Sequence, residues 1–144
     1  MIIKQINKEK TYIVRHPVLR PGKPISSCIM PGDELASTIH LGAFVEDNIV
    51  GVCTLMVNNH EALPLTQAIQ LRGMAVLDGY KGLGIGKKLL TFGEELVQDR
   101  FDVMWMNARI VAVPFYEKLQ YQIIGNVFDI PGIGDHYTMY KKLK

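Results

Sequence analysis

Three glycines at alternate positions, Gly82, Gly84 and Gly86, stand among lysines in the run YKGLGIGKKLL at residues 80–90. A turn of such small residues can aim several backbone N–H groups at one point. A helix that follows it adds its unpaired N-terminal donors and the positive end of its dipole. The chemistry that fits is anion binding, and a pyrophosphate-bearing cofactor in particular. Closely spaced glycines also make plain tight turns between a strand and a helix, but three alternate glycines with flanking lysines exceed what a turn needs.

The spacing excludes the two commonest nucleotide motifs. A Walker loop needs Gly five positions before Gly86 and Ser or Thr after Lys87, and the residues there are Lys81 and Lys88. A dinucleotide fingerprint needs Gly or Ala at position 87, where Lys87 stands. What remains is a basic residue, two residues, then G-x-G, supplied by Lys81, Gly84 and Gly86.

Other reactive side chains are fewer. His136 follows Asp135 beside the turn of a terminal hairpin and is a candidate to relay a proton from an ammonium substrate; the other reading is a surface-turn histidine, and the base stays unassigned. His40 points away from Ile39 and Leu41 and reads equally as a satisfied sheet residue. Cys28 and Cys53 lack the paired spacing of zinc or redox sites, so no metal is expected. Arg20 and Lys23, in a proline-rich stretch, read either as contacts for an acidic substrate group or as solvated loop charges.

The elements that must hold these residues can be read from periodicity. Strands are expected at 2–6, 38–46, 49–57, 68–77, 103–106, 122–128 and 137–143, with a hairpin turn at Asp47-Asn48 and a bulge or close backbone approach at Gly73. A helix over 8–18 should end or bend near His16 because of Pro17. Residues 19–36 hold three prolines and two glycines and read as a long loop with one helical turn, a candidate substrate-facing wall. Ile85, Leu89, Phe92 and Leu96 mark one side of a helix ending near Arg100. Val111, Phe115 and Leu119 mark a shorter helix that tolerates Pro114 in its first turn. This order implies an α/β chain of the α+β type, a single mixed, mostly antiparallel sheet with helices on both faces and some parallel pairing in the middle.

At 144 residues the chain is expected to form one domain, 1–144. With 48% apolar and 21% charged residues and a net charge of +2, it has the balance of an ordinary soluble protein. Its lysines and arginines are scattered, so no nucleic-acid partner is expected, and no segment resembles a signal peptide or a membrane span. A reducing cytoplasm is the expected compartment.

Two segments carry a resemblance to the GNAT superfamily of acyl-CoA-dependent N-acetyltransferases, covering residues 71–143. The family's acyl-CoA motif is Gln or Arg, two residues, Gly, one residue, then Gly or Ala, placed between the fourth strand and a long helix; KGLGIG stands there, with Lys81 in the basic position. Downstream, Ala112, Phe115, Tyr116, Glu117, Lys118 and Leu119 are similar to the second motif, A-x-x-F-Y-E-K-L. That motif is usually completed by Gly-Phe, whereas this chain has Gln120-Tyr121. Where the family often has Asn, three residues before the motif alanine, this chain has Arg109, and the nearest asparagine is Asn107.

The resemblance implies an acetyl-CoA-dependent N-acetyltransferase in which an amine attacks directly in a ternary complex. The backbone of Lys81, Gly82, Leu83, Gly84, Ile85, Gly86 and Lys87 would take the pyrophosphate, with Met74, Ala75 and Val76 and also Asn107 along the pantetheine arm. A backbone donor near Val76 would polarise the thioester carbonyl, a contribution of roughly 3 to 4 kcal/mol in a dry site. Tyr116 would be the general acid, since a phenol with a pKa of about 10 can reprotonate a thiolate while staying neutral itself; the other reading is a half-buried helix aromatic bonded to water. Neither cysteine lies in a catalytic setting that would favour an acyl-enzyme. The acceptor, a small-molecule amine or a protein amine, is not encoded, and a homodimer is left open. A non-catalytic acyl-CoA-binding or sensing module on the same fold is the alternative.

Overall fold

A computed structural model describes residues 1–144. Its strands are β1 (Ile2–Ile6), β2 (Ile39–Val45), β3 (Asn48–Val57), β4 (Ala68–Val76), β5 (Val103–Arg109), β6 (Gln122–Ile130) and β7 (Gly134–Lys142). Its helices are α1 (Lys8–Leu19), α2 (Ile85–Val97) and α3 (Val113–Lys118), with short 3-10 turns at Ile25–Cys28, Asp78–Tyr80 and Ile110–Ala112. The seven strands hydrogen-bond in the order β1-β2-β3-β4-β5-β7-β6. The pairs β1–β2, β2–β3, β5–β7 and β6–β7 are antiparallel, and β4–β5 is parallel. The parallel pair falls where α2 connects two strands, as a crossover requires, and the sheet is mixed and mostly antiparallel as expected. Contacts divide the chain into two compact units, Met1–Val57 with Leu71–Leu96, and Asn58–Gln70 with Val97–Lys144.

In the first unit α1 starts where the Asn7 side chain accepts the Lys10 N–H at 3.0 Å. The helix does not stop at His16 but runs through Pro17 to Leu19. The proline removes one donor, and the carbonyl it would have served belongs to Ile13, which is exposed and open to water. Val14 of α1 packs with Phe44, Ile49, Val52 and Ala75, while a side chain at Gly51 would come within 2.8 Å of Ile85 Cγ2 in α2. Residues 51 and 52 point to opposite faces of β3, so α1 and α2 cover opposite faces of the sheet. The buried side of α2 is Ile85, Leu89, Leu90 and Val97, with Phe92 turned outward to 36% exposure. Gly93 takes the inward position, because a Cβ there would lie 3.1 Å from Leu55 Cδ1. The hairpin between β2 and β3 turns at Glu46 and Asp47, one residue earlier than expected, with Val45 opposite Asn48 and Glu46 at φ 57°.

The second unit is built on β5, which runs to Arg109, three residues beyond the expected strand. Leu63, Ala68, Val103 and Trp105 form its core with Ile124 and Tyr140 against them. The Trp105 indole donates to the Asn58 carbonyl at 2.7 Å, which satisfies its one polar atom. Val111, expected on the inner side of the short helix, is 86% exposed. It lies in the 3-10 turn before α3, whose different period breaks the four-residue repeat. The β6–β7 hairpin is longer than expected at its turn end, reaching Ile130 and Gly134, and contains a bulge between Ile124 and Phe128, where Gly125 takes φ 83°.

Candidate active site

The glycine run lies at the end of a firmly held strand. Ala75 is in the core and the Leu77 N–H donates to the Val50 carbonyl at 2.9 Å. After the turn Asp78–Tyr80, Lys81 is extended, Gly82 has φ 80° and Gly84 φ 79°. A Cβ on Gly82 or Gly84 would meet nothing within 4 Å, so the space above the turn is open. The Lys88 N–H reaches the Gly84 carbonyl at 3.1 Å, and α2 begins at Ile85. Gly84 is therefore the N-cap, and the N–H groups of Ile85, Gly86 and Lys87 have no acceptor within the helix.

The two long helices differ at this point. Asn7 fills the start of α1 with its own side-chain oxygen, whereas Gly84 has no side chain to offer and leaves the start of α2 to an external acceptor. Ile85 and Leu89, buried against β3, fix the direction in which those donors point. Lys87 is exposed, and Lys81 Nζ pairs with Asp78 at 3.0 Å on the surface, a contact that solvent weakens and an anion can displace. Open space, fixed donors, an uncapped helix start and nearby lysines fit a pyrophosphate.

Met74, Ala75 and Val76 precede the run on β4 in the same unit; Asn107, Tyr116 and His136 belong to the other. Asn107 is exposed on β5, opposite Thr138, whose hydroxyl donates to its Oδ1 at 2.9 Å. Arg109 faces His136 two positions along the same register. His136 is not in a surface turn: β7 starts at Gly134, and the imidazole is 3% exposed and stacked on Phe128. Its Nδ1 lies 2.7 Å from the Gly134 carbonyl. A carbonyl only accepts, so Nδ1 carries the proton and Nε2 is the basic nitrogen. Tyr116 is buried in α3 with Phe115 and Tyr121 edge-on at 5.0 and 5.9 Å between ring centres.

Sequence reading missed a buried ionic cluster in the first unit. Arg15, with no exposed surface, donates to Asp33 Oδ2 at 2.7 Å, to the Cys28 carbonyl and to Thr54 Oγ1, both at 2.8 Å. Arg72 of β4 donates to the Pro31 carbonyl and to Asp33 Oδ1. Burial pushes the Asp33 carboxyl upward, but Arg15, the Met30 N–H and Arg72 together hold it below its ordinary value of 3.8. His40 donates from Nε2 to the Asp33 carbonyl, so its Nδ1 accepts from Thr54. It is the satisfied sheet histidine of the two readings. The available signal was phase: Arg15 falls in the buried stripe of α1 with Thr11 and Val14.

Solved structures share this architecture throughout. A putative N-acetyltransferase from Lactobacillus plantarum superposes with a TM-score of 0.80 at 19% identity, over all of both chains. An aminoglycoside 6'-N-acetyltransferase complexed with coenzyme A gives 0.79 at 17% identity, over all of this chain and 98% of that one. These likenesses define the fold. Residues 36–123 match the acetyltransferase (GNAT) domain, and "Uncharacterized N-acetyltransferase YitI" of Bacillus subtilis (strain 168) is 36% identical over 99% of this chain and 96% of its own. The chain belongs to the GNAT acetyltransferase family.

Proposed function

We propose that the protein transfers an acetyl group from acetyl-CoA to a primary amine by direct attack in a ternary complex. The observation that carries this reading is the side-chain-free N-cap at Gly84, which leaves the first N–H groups of α2 directed into open space. When bound, acetyl-CoA supplies an activated acetyl group as a thioester. On this reading the backbone of residues 81–87 would hold the pyrophosphate, and Met74, Ala75, Val76 and Asn107 would be the contacts of the pantetheine arm. Tyr116 would supply its phenolic proton to the leaving thiolate, and His136, through Nε2 and water, is the candidate to take up the proton of the ammonium.

The test is release of free thiol from acetyl-CoA across a panel of amines. Tyr116→Phe is expected to lower turnover at least about tenfold with little change in coenzyme A affinity, and unaltered turnover would remove Tyr116 from this role. Tight coenzyme A binding with no thiol released from any amine would make the protein an acyl-CoA-binding module instead.

A further inference from the structure

The Arg15, Asp33 and Arg72 cluster is not balanced. Two guanidinium groups share one carboxylate, and that carboxylate is fully used: Oδ2 takes Arg15 and the Met30 N–H, and Oδ1 takes Arg15 and Arg72. The other partners, the Cys28 and Pro31 carbonyls and Thr54, are neutral. Both Nε atoms, of Arg15 and of Arg72, are buried without an acceptor. A charge only partly compensated, by Asp33 and by the exposed Glu34, is costly in a poorly solvated place, and such a cost points to a ligand.

The unbalanced charge is reachable from one side only. The Arg15 and Asp33 side chains are 0% and 1% exposed, whereas that of Arg72 is 16% exposed. Burial, reinforced by Arg15 and partly offset by Asp33 and the exposed Glu34, holds the Arg72 pKa below the ordinary arginine value. Arg72 also stands where an acceptor would approach. It lies two residues before Met74 on β4 and is tied to the loop after α1 through Pro31 and Asp33. The same loop adds Arg20 and Lys23.

Resting on the acetyltransferase reading, we infer that Arg72 anchors an anionic group of the acceptor, so that the substrates are amines that also bear a carboxylate. Asp33 and the Pro31 carbonyl hold the guanidinium through Nη2, which leaves Nη1 to donate a charge-assisted hydrogen bond to the carboxylate. Polycationic amines are repelled by the same charge.

The experiment compares matched pairs, amino acids against their amides, in thiol release with the full-length protein. The acids are expected to exceed the amides by at least about fiftyfold in kcat/KM, consistent with a site whose buried donor is left unpaired by the wrong substrate. Arg72→Gln should collapse that ratio towards one, chiefly through KM, with coenzyme A affinity unchanged, and Arg72→Lys should restore it only in part. A purely structural role for Arg72 would lower both members of a pair equally. An equal loss of that kind, or a wild-type preference for amides or polyamines, overturns the inference. If no amine is turned over although coenzyme A binds, the acetyltransferase reading fails separately. Calorimetry with N-acetylated amino acids and their amides, coenzyme A present, then decides the anion site: acids binding tighter supports it, and equal or absent binding overturns it.

Discussion

Glycines with positive φ serve two places in the first unit for opposite reasons. At Gly82 and Gly84 a Cβ would find nothing within 4 Å, whereas at Gly73, with φ 63°, it would lie 3.1 Å from Arg15 Nε and 3.2 Å from Nη2. The first pair keeps a space empty beside backbone donors. Gly73 lets a buried guanidinium lie flat on β4. One site works through the main chain and faces outward; the other works through charged side chains and faces inward. The same residue type therefore marks a binding surface in one place and a packing constraint in the other, and only the neighbours tell them apart.

The largest expected effect separates the two at once. Asp33→Asn leaves two buried guanidinium groups without their carboxylate, and breaking a buried pair in this way costs about 3 to 5 kcal/mol. Urea denaturation should show that loss. In wild type the folded carboxyl sits below its unfolded value of 3.8, so its stabilisation is complete above that value and disappears as the pH falls through the folded one. Wild-type stability should fall on acidification below about pH 4, and the Asn variant, with no proton to take up there, should fall less steeply.

A smaller pair of effects tests the glycines directly. Gly84→Val should reduce coenzyme A affinity at least about tenfold, because it fills the space in front of the α2 donors, at a stability cost of about 1 to 2 kcal/mol for the left-handed backbone. Gly73→Ala adds the clash with Arg15 to the same strain and should destabilise more, with the smaller effect on coenzyme A affinity. Equal stability losses in thermal melts would show that the crowding at Gly73 relaxes, and the contrast between the two places would not hold.

What the sequence made legible was local. The succession of strands and helices along the chain, the start of α2 and the glycine turn depend on residues next to one another, and Gly73 announced its irregular backbone through its own type. The ionic cluster joins α1, the following loop and two strands, with Arg15 and Thr54 separated by 39 positions, so no short window contains it. Phe92 fits the helical period of α2 but lies at the edge of the buried stripe, because Gly93 lets the helix approach Leu55 closely. Periodicity gives a face to within a residue or so, and close packing decides which residue occupies it.

The smallest effect lies in the second unit, at the end of α3. The Gln120 N–H reaches the Glu117 carbonyl at 3.0 Å and the Tyr121 N–H reaches that of Tyr116 at 3.1 Å, the pair of bonds that closes a helix through a left-handed residue. Gln120 is that residue, at φ 75°. The position is the one where the related motif usually carries glycine, so the departure visible in the sequence is paid for in backbone strain while the closing geometry is kept. Gln120 is exposed and its side chain has no burial to lose. Gln120→Gly should therefore raise stability by about 1 kcal/mol, less whatever the glycine gains in unfolded-chain freedom. Because the Tyr116 carbonyl takes part in the closure, a turnover change in this variant at constant coenzyme A affinity would show that the strain also positions the tyrosine. A stability gain with unchanged turnover would confine it to the helix end.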